Sequence, residues 1–115
     1  MDNNTKIEEQ NENEAAAKIG DGLDELCSAL CKIDDVNLMK DFFACLLTPA
    51  ELSDIAMRWL LVREIDKGTT QREIARMFGM SLCKITRGSR ELKKENSAFR
   101  QVLDIYKQIQ KDSEK

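Results

Sequence analysis

Eight basic side chains fall between positions 71 and 100: Arg72, Arg76, Lys84, Arg87, Arg90, Lys93, Lys94 and Arg100. Only Glu73, Glu91 and Glu95 oppose them, so this block carries +5. The rest of the chain leans the other way. Residues 1–70 hold seven basic and fifteen acidic groups, a balance of −8, and residues 101–115 balance three against three, giving the overall −3. A basic block in an acidic chain suits a localised face for a polyanion, although a solvated helix face has the same composition. Lys and Arg reach phosphates and guanine edges, and Gln71 is of a type that pairs with adenine.

Other chemistry is poorly provided for. Histidine is absent, which removes Ser-His and Cys-His catalysis and the commonest metal ligand. The four cysteines, Cys27, Cys31, Cys45 and Cys83, form no Cys-x-x-Cys pair and read as free thiols of a reducing compartment. Cys27 and Cys31 are spaced i, i+4, and core thiols are the simpler reading than half a metal site. With no nucleophile–base pair, phosphate loop or metal set, the expectation is not an enzyme, and no cofactor or metal is implied. No stretch approaches 18 consecutive apolar residues, so no membrane span is expected. The polar, acidic start lacks the features of a signal or transit peptide, and a cytoplasmic location is expected.

The elements that must carry the basic block are helical. Across 115 residues there are five Gly, one Pro and 5% aromatics, too few turn and strand formers for a β-sandwich or barrel. Residues 1–20 read as a flexible, acidic and polar tail, with Gly20-Asp-Gly22 breaking any helix. Residues 21–115 read as a single all-α domain, giving five to six helices in the chain. Leu23, Leu26, Cys27 and Leu30 follow i, i+3, i+4, i+7, and a wider stripe joins Leu38, Phe42 and Leu46 with Met39, Phe43 and Leu47. Asp34-Asp35 reads as a turn or helix start. Thr48-Pro49 with Glu51 has the pattern of a capping box with Pro in the first turn. The helix that follows is expected to end near Lys67 at Gly68, with Leu52, Ile55, Ala56, Trp59 and Val62 inward. A last amphipathic segment starts near Ser97, with Phe99, Val102, Leu103 and Tyr106 on one face.

Within the basic block, Gln71 to Gly88 fits a helix-turn-helix, the motif extending over about residues 71–92. Ile74 and small Ala75 sit where two helices cross, Phe78 packs inward, and Gly79 takes the turn position that calls for positive φ. Ser81 can cap the second helix, and Ile85 locks it onto the first. An ordinary αα-hairpin could share these features. The face left outside carries Gln71, Arg72, Lys84 and Arg87, and the second helix would enter a major groove by its N-terminal half.

The run Lys84-Ile-Thr-Arg-Gly-Ser-Arg-Glu-Leu-Lys93 resembles the recognition helix of the Trp repressor family, and Thr70-Gln-Arg-Glu-Ile74 resembles the helix before it. Leu47-Thr-Pro49, Glu51 and Arg58 resemble the long central helix of that family, and the likeness extends over about residues 38–103. It implies an all-helical, intertwined homodimer with a helix-turn-helix reading head, acting as a sequence-specific DNA-binding repressor with L-tryptophan as corepressor. The partners it implies are a double-stranded DNA operator, a second copy of the chain and a small amino-acid effector. Arg58 and Arg87 would flank the indole, Arg87 also pairing the carboxylate, while the carbonyls of Cys45 and Leu47 receive the ammonium and Gly88 leaves room for the ring. The DNA face would be Gln71, Arg72, Leu82, Cys83, Lys84, Thr86 and Lys93.

Two departures bear on the ligand site. Glu91 stands where better-known members carry a serine, and it could bind the ammonium or plug the site by pairing with Arg58 or Arg87. The loop between Gly68 and Gln71 is one residue shorter. The alternatives are therefore a ligand-independent helix-turn-helix protein with Glu91 plugging the pocket, or a helical protein-interaction module with a basic face.

Overall fold

Thr48, Thr70, Ser81 and Ser97 each open a helix in the same way. Each hydroxyl accepts the N–H three residues on, from Glu51, Glu73, Lys84 and Arg100, at 3.2, 3.2, 3.4 and 3.1 Å. A donor that the first helical turn would leave unpaired is thereby satisfied. At Thr48 the Glu51 carboxylate also accepts the Thr48 N–H at 2.9 Å, completing the expected capping box, with Pro49 at the start of the helix. The Thr48 backbone N–H first, and the Thr48 hydroxyl second, hold the Glu51 carboxyl below its usual range.

The computed structural model describes residues 3–114, and among these it is all-helical, with six helices and no strand. They are α1 (Asn3–Leu30), α2 (Val36–Leu46), α3 (Pro49–Lys67), α4 (Gln71–Phe78), α5 (Leu82–Lys93) and α6 (Ala98–Ser113). None is long and apolar enough to cross a membrane. The chain divides into two units, Met1–Leu46 and Leu47–Lys115.

In the first unit the expectation of a helix-breaking Gly20-Asp-Gly22 is corrected. Residues 3–20 are helical, and α1 runs through both glycines without interruption; Met1 and Asp2 of the expected tail lie outside the described residues. Each interior glycine costs about 1 kcal/mol relative to alanine. The Glu, Gln, Ala, Lys and Leu residues that surround this pair are strong helix formers, enough to carry the helix across it. Asp35 starts α2, its Oδ1 accepting the N–H groups of Asn37 and Leu38 at 2.9 and 3.3 Å. The apolar stripes are present and partly exposed: Leu23, Leu38 and Leu46 are more than half exposed, as is nearby Val36, while Leu26, Leu30, Met39, Phe42 and Phe43 are half-buried. Cys27 and Cys31 are also exposed free thiols, not core residues.

The second unit holds the core. Leu61 and Val62 of α3, Ile74 of α4, Ile85 and Leu92 of α5 and Leu103 of α6 are buried together. Burial in α3 therefore falls on Leu61 and Val62, whereas Ile55, expected inward, is exposed. The reason is that α3 is apolar on more than one side, and α4 and α5 both pack on it. Val102, placed on one face of α6 with Leu103, is half exposed while Leu103 is buried. Trp59 stacks on Phe99 and meets Tyr106 edge-on, centroids 6.4 and 5.8 Å apart, fastening α3 to α6. Gly68 ends α3 with φ 93° and Gly79 ends α4 with φ 61°, a left-handed backbone that a Cβ would strain.

Asp66, near the end of α3, is the main electrostatic tie to α6. It accepts from Lys107 at 2.6 Å and Arg100 at 2.5 Å, and its side chain is only 12% exposed. Lys107 first and Arg100 second hold its carboxyl below the usual 3.8. A carboxyl with a lowered folded value stabilises the fold above its unfolded pKa, and that contribution disappears as pH falls through the folded value. Asp66→Asn should therefore lower the melting temperature at pH 7. The gap to wild type should close once pH drops well below about 3.9, and parallel melts at the two pH values measure it.

Candidate functional site

The helix-turn-helix is formed as its spacing predicts. α4 and α5 flank the left-handed Gly79 and the Ser81 cap, with Ile74 and Ile85 wholly buried between them and α3. Ala75, Phe78 and Met80 pack against the same core. The position of α5 on α3 is set by Gly88: a Cβ there would lie 2.8 Å from Leu61 Cδ1 and 3.3 Å from Val62 Cγ2. The missing side chain lets the two helices approach closely.

Beside this contact is a cavity of about 370 Å³, lined by Arg58, Leu61, Val62, Lys84, Arg87, Gly88, Glu91 and Phe99. Four residues named from the sequence for the ligand, Arg58, Arg87, Gly88 and Glu91, thus come together. Leu47 is half-buried just before Thr48 and does not line the cavity, and Cys45 belongs to the first unit. Leu61, Val62 and Phe99, which sequence reasoning did not assign to the site, form its apolar wall. Helical spacing places Val62 and Phe99 on apolar faces but leaves Leu61 off its stripe, and nothing in the sequence separates a core wall from a cavity wall.

The charges of the cavity are unbalanced. Among the described residues Arg58, Lys84 and Arg87 make no ion pair. The Arg58–Asp54 bridge that sequence spacing allows is not formed. Glu91 does not plug the cavity through either arginine. Its carboxylate accepts from Lys94 Nζ at 2.9 Å. This bond first, with the nearby Lys94, Arg87 and Arg90 charges adding, holds Glu91 below the usual carboxylate range. Because both side chains are well exposed, the Glu91–Lys94 pair is weak and easily exchanged.

The helical register of α5 sorts its polar residues onto two faces. Lys84, Arg87, Gly88 and Glu91 follow i, i+3, i+4, i+7 and line the cavity. Cys83, Thr86, Arg90 and Lys93 share another, exposed face. Gln71 and Arg72 are exposed at the start of α4, and Leu82 is exposed at the start of α5. Lys84 and Arg87 therefore belong to the cavity side of α5, and Arg90, not singled out from the sequence, stands among the DNA-suited residues. Its spacing of four from Thr86 and seven from Cys83 was the available signal.

The chain matches the family described as Trp repressor protein over residues 21–107. It belongs to the Trp repressor family. Among similar proteins is a Trp operon repressor homolog of Chlamydia caviae, 42% identical over 80 residues, 69% of this chain and 76% of that protein. A Trp operon repressor homolog of Chlamydia trachomatis serovar L2 is 38% identical over 68% of this chain and 81% of its own length. One from Xylella fastidiosa is 38% identical over 62% and 78%. No solved structure gives a significant match. Trp repressor family members are regulators, not enzymes. The matched region includes α2 to α5 and most of α6, so the cavity and the helix-turn-helix both lie within it.

Proposed function

We propose that this protein is a homodimeric, sequence-specific DNA-binding repressor whose corepressor is L-tryptophan. One observation carries the reading. Arg58 on α3 and Arg87 on α5, neither ion-paired among the described residues, line one apolar-walled cavity against the recognition helix of a helix-turn-helix. About 370 Å³ is within the size range of small-molecule sites, roughly 300–1,000 Å³. A planar guanidinium stacks on an aromatic ring and binds a carboxylate by two parallel hydrogen bonds, so two arginines suit an aromatic amino acid. Glu91 can leave the weak Lys94 pair to accept the ligand ammonium.

The ligand acts as a wedge. Because the cavity lies between α3 and α5, a molecule filling it biases the angle of the recognition helix. A ligand that prefers the DNA-ready angle by about 1–3 kcal/mol raises DNA affinity roughly 5- to 150-fold per site. Homodimer formation covers the exposed Leu23, Val36, Leu38 and Leu46, and supplies two recognition helices for successive major grooves. The DNA face comprises Gln71, Arg72, Leu82, Cys83, Thr86 and Lys93, with Arg90 added by register, and Lys84 sits at its border. The repressor role, being the function named for the similar proteins, favours this reading over an interaction module.

Calorimetric titration with L-tryptophan tests the ligand: saturable binding of one molecule per chain is expected, and no heat at millimolar ligand would overturn it. Lys93, read as a phosphate contact, gives a second check. Lys93→Ala should weaken binding to all DNA sequences alike and reduce the slope of log affinity against log salt by about 1 per subunit. Loss restricted to one base position would contradict that role.

A further inference from the structure

Lys84 sits one helical turn before Arg87 and lines the same cavity. Its backbone is fixed at the start of α5, where its N–H donates to Ser81 Oγ, while its side chain is exposed and has no ion pair among the described residues. The register that groups Lys84 with Arg87, Gly88 and Glu91 sets it apart from Cys83, Thr86, Arg90 and Lys93. Arg58 and Arg87 already supply the two planar cations that an aromatic ring and a carboxylate require. A third cation on the same cavity, whose one acidic lining group is held by Lys94, is in excess of that need.

We propose that Lys84 is a specificity-determining residue of the ligand cavity, binding the carboxylate of the amino-acid ligand together with Arg87. Two cations one turn apart on α5 can hold the two oxygens of one carboxylate, Arg87 by its fork and Lys84 as a point charge. Arg58, on the facing helix, is then released to stack on the ring. Because Lys84 stands in the first turn of α5, this contact ties the ligand's charged end to the start of the recognition helix. This rests on the reading of the cavity as the L-tryptophan site.

The test is calorimetric titration of the full-length protein and its Lys84→Met and Lys84→Arg variants with L-tryptophan, alongside the salt dependence of DNA binding. Lys84 is exposed, so neither change disturbs the core. The expected result is that Lys84→Met binds L-tryptophan about 10-fold more weakly, the loss of one charge-assisted hydrogen bond. Lys84→Arg should stay within about threefold of wild type, since the charge is kept. Unchanged affinity in Lys84→Met would overturn the proposal, as would equal losses in both variants, which would mark a packing role. So would unchanged ligand affinity with a salt slope reduced by about 1, which would assign Lys84 to a DNA phosphate. Absence of L-tryptophan binding to the wild type would overturn the ligand reading itself, and this proposal with it.

Discussion

Ile85→Ala is expected to remove about 2–5 kcal/mol of stability, the usual loss when a large aliphatic side chain is cut from a packed core. Ile85 is wholly buried, in one cluster with Leu61, Val62, Ile74, Leu92 and Leu103. It is a point where α5 is locked to the rest of the second unit. The residues around it come from four helices, so they cannot all collapse into the space it leaves. Small domains have about 5–15 kcal/mol in total. The variant should therefore melt on the order of 10 °C or more below wild type. Thermal unfolding followed by circular dichroism measures it, and a shift of only a degree or two would mean that α5 is held by something other than this cluster.

Arg87→Ala is expected to act on the ligand and not on the fold. Arg87 is exposed and unpaired among the described residues, so its removal should leave the melting temperature of the free protein nearly unchanged. L-tryptophan affinity should fall about 100-fold, because a bidentate, charge-assisted contact disappears together with its stacking on the ring. Arg87→Lys keeps the charge without the fork and should recover only part of the loss. Calorimetric titration of both variants separates the two contributions. Unchanged affinity in Arg87→Ala would detach the cavity from amino-acid binding.

Much of this arrangement was legible in the sequence because it depends on local rules. A Thr or Ser three residues before a free N–H, Pro49 in a first turn, and Gly68 and Gly79 at helix ends describe contacts within one turn of chain. Accordingly α3 to α6 begin and end close to where those signals stand. The helix-turn-helix was legible for a related reason: Ile74, Ala75, Gly79 and Ile85 satisfy separate steric demands at fixed spacing. Gly20 and Gly22 misled because a glycine is a breaker only where its neighbours do not favour the helix enough to carry it. Which side of α3 would be buried was not legible, since Ile55, Trp59, Leu61 and Val62 leave no single apolar stripe. Val62 was rightly placed inward, but adding Leu61 and leaving out Ile55 required knowing that α4 and α5 both lie against α3.

The candidate site was legible in a different degree. Arg58, Arg87, Gly88 and Glu91 were indicated by resemblance and come together around one cavity. Gly88 has an additional part, because the space it leaves is taken by Leu61 as α5 approaches α3. The partner of Glu91 could not be read from spacing alone. Arg87 lies four residues before it and Lys94 three after, both within reach on one helix. The structure selects Lys94, leaving Arg58 and Arg87 without an ion pair among the described residues.

Under the proposed function, a ligand wedged between α3 and α5 biases how α5 meets DNA. The most direct test is titration of the purified protein onto an operator selected from random duplex DNA, at 0.15 M salt, with and without saturating L-tryptophan. Affinity should rise at least 5-fold per bound ligand, and the rise should be lost in Arg87→Ala. Equal affinity with and without L-tryptophan would contradict the account, because a ligand that binds both arrangements alike moves neither.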